Sequence, residues 1–139
     1  MSFLLDTNVI SETMKPRPNA GVLAWLAEAD EDRVFLSVIS LMELRYGVER
    51  MDAGRRRSRL EEWVGHDLRL RFEKRILAID PAVADAAGKL VARSESLGRP
   101  VETRDALIAA TAETFELTVV TRNVSDFNPM TRNLLNPWS

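Results

Sequence analysis

Short apolar runs alternate along this chain with longer stretches in which apolar residues return every three or four positions. Runs of the first kind predict strands, and stretches of the second kind predict helices. The first run, Phe3-Leu4-Leu5, leads directly into Asp6-Thr7-Asn8, a carboxylate followed by two small polar side chains. That is the pattern of a strand buried in a parallel sheet, apolar on both faces and delivering a polar group at its carboxyl end. Val9, Ile10 and Met14 predict a short helix, ended by Pro16 and Pro18, which lack the backbone donor a helix needs. Asn19 reads as the cap of a helix with an apolar stripe of Val22, Leu23, Trp25, Leu26 and Ala29, closed by Asp30-Glu31-Asp32.

A second strand spans residues 34–37, and a helix from about Ser40 carries Leu41, Leu44 and Val48 at helical spacing. Residues 51–54 break the pattern before a long polar helix with Arg55, Arg56, Arg57 and Arg59 outside and Leu60, Trp63, Val64, Leu68 and Phe72 inside. Residues 76–79 predict a third strand. Asp80-Pro81 is a cap followed by proline at the first helical position, opening a helix with Val83, Ala87, Leu90, Val91 and Ser94 on one side until Gly98. A loop at 99–103, a helix at 105–115, a fourth strand at 118–121 and a short fifth at 133–135 complete the chain before Asn136-Pro137-Trp138. Strands alternating with helices, without repeat or linker, predict one α/β domain over residues 1–139 with a mainly parallel sheet of four to five strands.

Ligands of open α/β sheets bind beyond the carboxyl ends of the strands. Asp6 is expected there, and three more acids follow later apolar elements: Glu43 after Val34-Phe35-Leu36, Asp105 at the head of an Ala-rich helix, and Asp126 after Val119-Val120. Each acid also has an ordinary structural explanation. Ser40-Leu41-Met42-Glu43 fits a capping box, Asp105 a helix cap, Asp126 an Asx turn before Phe127, and Asp6 a strand–helix turn. Four caps have no reason to converge behind the strands of one sheet, however, and clustered carboxylates raise one another's pKa unless a cation neutralises them.

Composition narrows the chemistry. The chain has no Cys and a single histidine, His66, so a metal must be held by oxygens, which favours Mg²⁺ or Mn²⁺. His66 lies in a polar helical stretch without a G-x-S-x-G nucleophile, and the six glycines form no nucleotide-binding run. A solvated histidine is therefore expected in place of a catalytic triad. The net charge of −2 conceals a bias of sixteen arginines against three lysines. The Arg55–Arg59 cluster can grip phosphates or form a solvated face paired with Glu61, Glu62 and Asp67. Trp25 and Trp63 are expected in the core, and Trp138 as a lid or a dimer contact. With neither a signal segment nor an apolar stretch of spanning length, a cytoplasmic protein is expected, with no membrane association.

Four motifs in order carry a resemblance. Leu4-Leu5-Asp6-Thr7-Asn8-Val9-Ile10-Ser11-Glu12, Ser40-Leu41-Met42-Glu43-Leu44, Asp105-Ala106-Leu107-Ile108-Ala109-Ala110-Thr111-Ala112 and Val120-Thr121-Arg122-Asn123-Val124-Ser125-Asp126-Phe127 resemble the PIN-domain ribonucleases. Their spacing is similar to that of VapC-type toxins, and Asn136-Pro137-Trp138 to the FitB-like branch. The resemblance implies a three-layer α/β/α domain that cleaves RNA with Mg²⁺ or Mn²⁺. It also implies a homodimer, held inactive by a cognate antitoxin in a larger hetero-oligomer. By motif, Asp6, Glu43 and Asp105 become metal carboxylates, with Thr7, Asn8 and Thr121 as supporting groups. One departure stands out. Some members carry aspartate directly after the Thr-Arg pair, where this chain has Asn123, so the fourth acid is either Asp126 or missing.

Two other readings are open on the sequence. A receiver-type phospho-acceptor needs a paired acid on the first strand and a late lysine, where this chain has a lone Asp6 and Arg122. A catalytically silent PIN-like binding module would keep the fold without the chemistry.

Overall fold

The computed structural model describes residues 1–139. Strands β1 (Phe3–Leu5), β2 (Val34–Ser37), β3 (Ile76–Leu77), β4 (Thr118–Val120) and β5 (Leu134–Leu135) form one sheet in the order β3-β2-β1-β4-β5. Every neighbouring pair is parallel, so all five carboxyl ends share one edge. β1 is central, with Phe3 aligned to Val34 on one side and to Thr118 on the other. The chain builds outward from β1 through β2 to β3 and then crosses to β4, which puts the topological switch point between β1 and β4. Asp6 follows β1 at that point.

The helices are α1 (Thr7–Glu12), α2 (Ala20–Glu28), α3 (Val38–Glu49), α4 (Arg55–Glu62), α5 (Leu68–Arg71), α6 (Pro81–Ser96), α7 (Thr103–Thr114) and α8 (Val124–Phe127). Successive strand residues point to opposite faces of a sheet. Leu4 and Val119 accordingly join a cluster with Val83 and Leu90 of α6, Ile108 of α7 and Phe127 of α8. Leu5 and Val120 join another with Val9 and Ile10 of α1, Val22 of α2, Leu44 of α3, and Val64 and Phe72. Helices thus cover both faces, giving the three-layer α/β/α architecture. No helix is long and apolar enough to cross a membrane.

Helix starts depart from the sequence expectation in an informative way. α3 begins at Val38, and its cap is the last strand residue, Ser37, whose hydroxyl accepts from the Ile39 amide at 3.0 Å. Strand and helix abut with no loop between them, so the expected capping box of Ser40 and Glu43 does not form. Similarly α7 begins at Thr103 after Glu102, and Asp105 is its third residue and not its cap. Asp126 sits in the short α8 where an Asx turn was expected. The long polar helix is interrupted by a π-helical turn, Trp63–Asp67. Leu60, Val64, Leu68 and Phe72 recur every four residues, slightly more than an α-helical turn, and the wider π turn absorbs the drift.

The carboxyl-terminal residues are docked. Asn19 Oδ1 accepts from the amides of Gly21 at 3.0 Å and Ser139 at 3.1 Å. Trp138 packs against the core cluster of α1 and α2, with the Arg122 guanidinium 5.6 Å from its ring centre. A Cβ on Gly21 would lie 2.5 Å from the Pro137 carbonyl oxygen and 2.7 Å from the Ser139 nitrogen. Gly21→Ala is therefore expected to lift the tail at a cost of about 1–3 kcal/mol. Thermal unfolding and tryptophan emission read this, and a wild-type melting temperature with unshifted emission would show that the close approach is dispensable.

Candidate active site

The site grows from the backbone of β1. The Asp6 amide donates to the Val120 carbonyl at 2.9 Å, extending the β1–β4 ladder by one residue and fixing where the side chain emerges. The Asp6 side chain is only 6% exposed. Its two oxygens accept from the Thr7 amide and the Thr121 hydroxyl, each at 2.8 Å. Thr121 Oγ1 in turn accepts from the Asn123 amide at 2.9 Å and lies 3.5 Å from Asn8 Nδ2. Asn8 Oδ1 accepts from the Arg122 amide at 3.4 Å. Thr7, Asn8, Thr121 and Asn123 thus form a polar collar around Asp6.

Glu43 comes from the second turn of α3. The Thr7 hydroxyl donates to Glu43 Oε1 at 2.7 Å, and Ser40 Oγ lies 3.1 Å from the same hydroxyl. Arg104 Nη1 stands 3.5 Å from Glu43 Oε2. Asp105, next in sequence to Arg104 and half-buried in the first turn of α7, shares a cleft with Asp126, Glu102, Arg99 and Ser125. Asp126 is exposed.

These acids interact electrostatically. The Asp105 pKa is raised to about 6, first by burial and then by the charges of Asp6, Asp126, Glu43 and Glu102. The Asp6 pKa is also raised, first by burial, against the opposing hydrogen bonds of Thr121 and Thr7, with Glu43 and Asp126 adding to the rise. All four predicted acids therefore belong to one electrostatic cluster. They are not drawn tightly together, however. The trio of side chains whose ligand atoms all lie within 4.8 Å of one another is Glu62, His66 and Asp67, every one exposed. A hard cation that keeps several of its waters suits a wider ring of carboxylates. The donor set fits such an ion: four carboxylates, hydroxyls and amide oxygens, with no thiolate in the chain and its one imidazole beside Glu62 and Asp67.

His66 is solvated, as expected, and Asp67 and then Glu62 raise its pKa. The arginine cluster divides. Arg57 is held by Glu61 at 2.7 Å and Glu49 at 2.8 Å, whereas Glu62 and Asp67 contact His66, not arginine. Three neighbours of the acids are not evident from the sequence pattern. Ser40 has the spacing of a cap, while Arg104 and Glu102 flank Asp105 so closely that a helix start at Thr103 reveals them. Nor does the sequence pattern mark Glu12 as buried: it accepts from the Asn19 amide at 2.9 Å and pairs with Lys15 at 2.8 Å, joining α1 to the α2 cap.

The PIN domain family model matches residues 3–128. The plasmid stability protein StbB of Pseudomonas syringae pv. tomato is 41% identical over 97% of each chain. Toxin FitB of Neisseria gonorrhoeae is 38% identical over 97% of each chain. A solved structure from that organism, FitAcB, superposes with a TM-score of 0.92 over 98% of both chains at 38% identity. VapC ribonuclease Y4jK of Sinorhizobium fredii is 34% identical, over 97% of this chain and 96% of its own. With a family match through nearly its whole length and relatives named StbB, FitB and VapC at more than 30% identity, this chain belongs to the PIN-domain family.

Proposed function

We propose that this chain is a divalent-metal-dependent endoribonuclease that acts as the toxin of a toxin–antitoxin pair. The observation that carries the reading is the raised pKa of both Asp6 and Asp105 at the switch point of the sheet, owed first to burial, with Glu43 and Asp126 adding to both and Asp6 adding to Asp105. Carboxylates so arranged are destabilised unless a cation joins them. The relatives named toxin and VapC ribonuclease support RNA as the substrate.

Asp6, Glu43, Asp105 and Asp126 are the residues that would hold Mg²⁺ or Mn²⁺. When bound, such an ion would activate a water and neutralise charge on the phosphate for in-line attack, leaving a 5′-phosphate and a 3′-hydroxyl. The chain's own part is positioning. Thr121 and the Thr7 amide fix both oxygens of Asp6, and Thr7 orients Glu43 with its hydroxyl. Asn8 and Asn123 brace Thr121 from the other side. As the resemblance implies, the protein works as a homodimer, and a cognate antitoxin lays a segment across the acidic cleft, offering arginine to these carboxylates.

Purified protein incubated with a panel of RNAs tests the function. Cleavage that requires Mg²⁺ or Mn²⁺ and stops with a chelator is expected; intact RNA under all metals would leave a silent binding module. The fourth acid has its own test. Asp126 shares the cleft with Asp105, whereas Asn123 contributes only its backbone amide to Thr121. Asp126→Asn is therefore expected to weaken Mn²⁺ binding strongly, and Asn123→Ala by no more than about 10-fold to 100-fold. A harmless Asp126→Asn beside a crippling Asn123→Ala would reverse the assignment.

A further inference from the structure

We propose that Arg55, Arg56 and Arg59 form a phosphate track that holds single-stranded RNA as it enters the acidic site, an inference that rests on the ribonuclease reading above. Its basis is a set of three adjoining depressions that share lining residues. The first, between α1, α3 and α4, is lined by Thr7, Glu43 and Arg56, with apolar walls that include Met14, Leu60 and Trp63. Met14 and Leu60 also line the second, together with Arg56 and Arg59, and Arg59 borders a further hollow with Arg55 and Ser58. Two of the predicted site residues and three arginines thus line adjoining depressions.

The ion pairs decide which cations are free to meet a ligand. Arg57 is held by two carboxylates and donates to the Met51 carbonyl at 2.8 Å. Lys15, on the groove wall, is paired with the buried Glu12. Arg45 on α3 faces Glu49. Arg55, Arg56 and Arg59 are all exposed, and none has a carboxylate within 4.0 Å. A hydrogen bond of 3.4 Å to the Met14 carbonyl holds Arg56 over the groove and leaves most of its donors open to solvent.

Such a track answers an electrostatic problem. A cluster of four acids repels a polyanion, and the net charge of −2 gives the molecule as a whole no attraction for one. Local cations beside the acids must supply it. Each phosphate they neutralise releases counterions, and guanidinium forks match phosphate oxygens two at a time. Three exposed guanidinium groups within five residues, none with a carboxylate partner, suit the repeated phosphates of a strand, which favours RNA over an acidic protein segment as occupant.

The test is a triple variant, Arg55→Gln, Arg56→Gln and Arg59→Gln, with a triple Lys variant as the charge-preserving control, all on an Asp6→Asn background to suppress cleavage. Circular dichroism checks folding, and all three positions are exposed. Fluorescence anisotropy with a labelled single-stranded RNA is followed across a salt series. Affinity is expected to fall at least about tenfold for the Gln variant, and the slope of log K against log salt by about 2, as for three lost phosphate contacts. The Lys variant should keep most of both. Unchanged affinity and slope would overturn the track, and so would normal RNA binding combined with loss of a co-expressed antitoxin. Because binding is read without turnover, an inactive wild type would defeat the ribonuclease reading while a reduced slope still upheld the track.

Discussion

Glu43→Gln is expected to fold with nearly wild-type stability and to lose about 10²-fold to 10³-fold in metal-dependent cleavage, the size of effect seen when one preorganised charge is removed from an active site. Stability should survive because Glu43 caps nothing. Ser37 fills that role, and the glutamine carbonyl can still accept the Thr7 hydroxyl that now donates at 2.7 Å. The one contact that weakens is the partly exposed pair with Arg104, at 3.5 Å, and such pairs contribute below about 1 kcal/mol. Thermal unfolding and RNA cleavage, measured on the same preparation, separate the two roles. A folded variant that cleaves at the full rate would reduce Glu43 to a tether for Thr7.

Metal-free Asp105→Asn is expected to be more stable than the wild type at about pH 7.5, by about 1–2 kcal/mol after allowing for solvent screening at a half-buried carboxylate. Its direction follows from proton linkage. The folded-state pKa of about 6 lies above the ordinary 3.8, so the folded protein holds this proton more tightly than the unfolded chain does. That contribution to stability is fully present below pH 3.8 and is lost as pH rises through about 6, and the amide removes the dependence. The gap between variant and wild type should therefore close by about pH 4. Added Mn²⁺ should stabilise the wild type near neutrality and the variant much less, because the cation would relieve the repulsion the variant already lacks. Differential scanning calorimetry across pH, with and without Mn²⁺, reads all of this. A variant less stable than the wild type at neutral pH would mean that Asp105 is held by favourable contacts and is not disfavoured by burial and like charges.

Much of the fold was legible because its signals are local. Phe3-Leu4-Leu5 followed by Asp6 needed only a run length and a polar stop, and Asp80-Pro81 opens α6 with the Asp80 side chain accepting the Val83 amide at 2.9 Å. The strand–helix alternation then dictated a parallel sheet and the edge at which its acids gather. Less legible were features set by tertiary packing. Nothing in Ser37 distinguishes a strand end from a cap until the sheet places β2 directly beneath α3, so the sequence pattern places the start of α3 about two residues late. The π turn answers a four-residue apolar repeat that is visible in sequence but fits several helical windings. The partition of the arginines could not be read at all, since Arg57 and its neighbours differ only in which carboxylates the fold brings within reach. The acids were found as a set from motif order; their electrostatic coupling needed the structure.

Mn²⁺ located by anomalous scattering in crystals of the protein tests most directly whether the acidic cluster is the cation site. The expected result is a peak among Asp6, Glu43, Asp105 and Asp126 that disappears in Asp6→Asn crystals grown and soaked alike. A peak confined to the exposed Glu62, His66 and Asp67 trio, with none near Asp6, would contradict it.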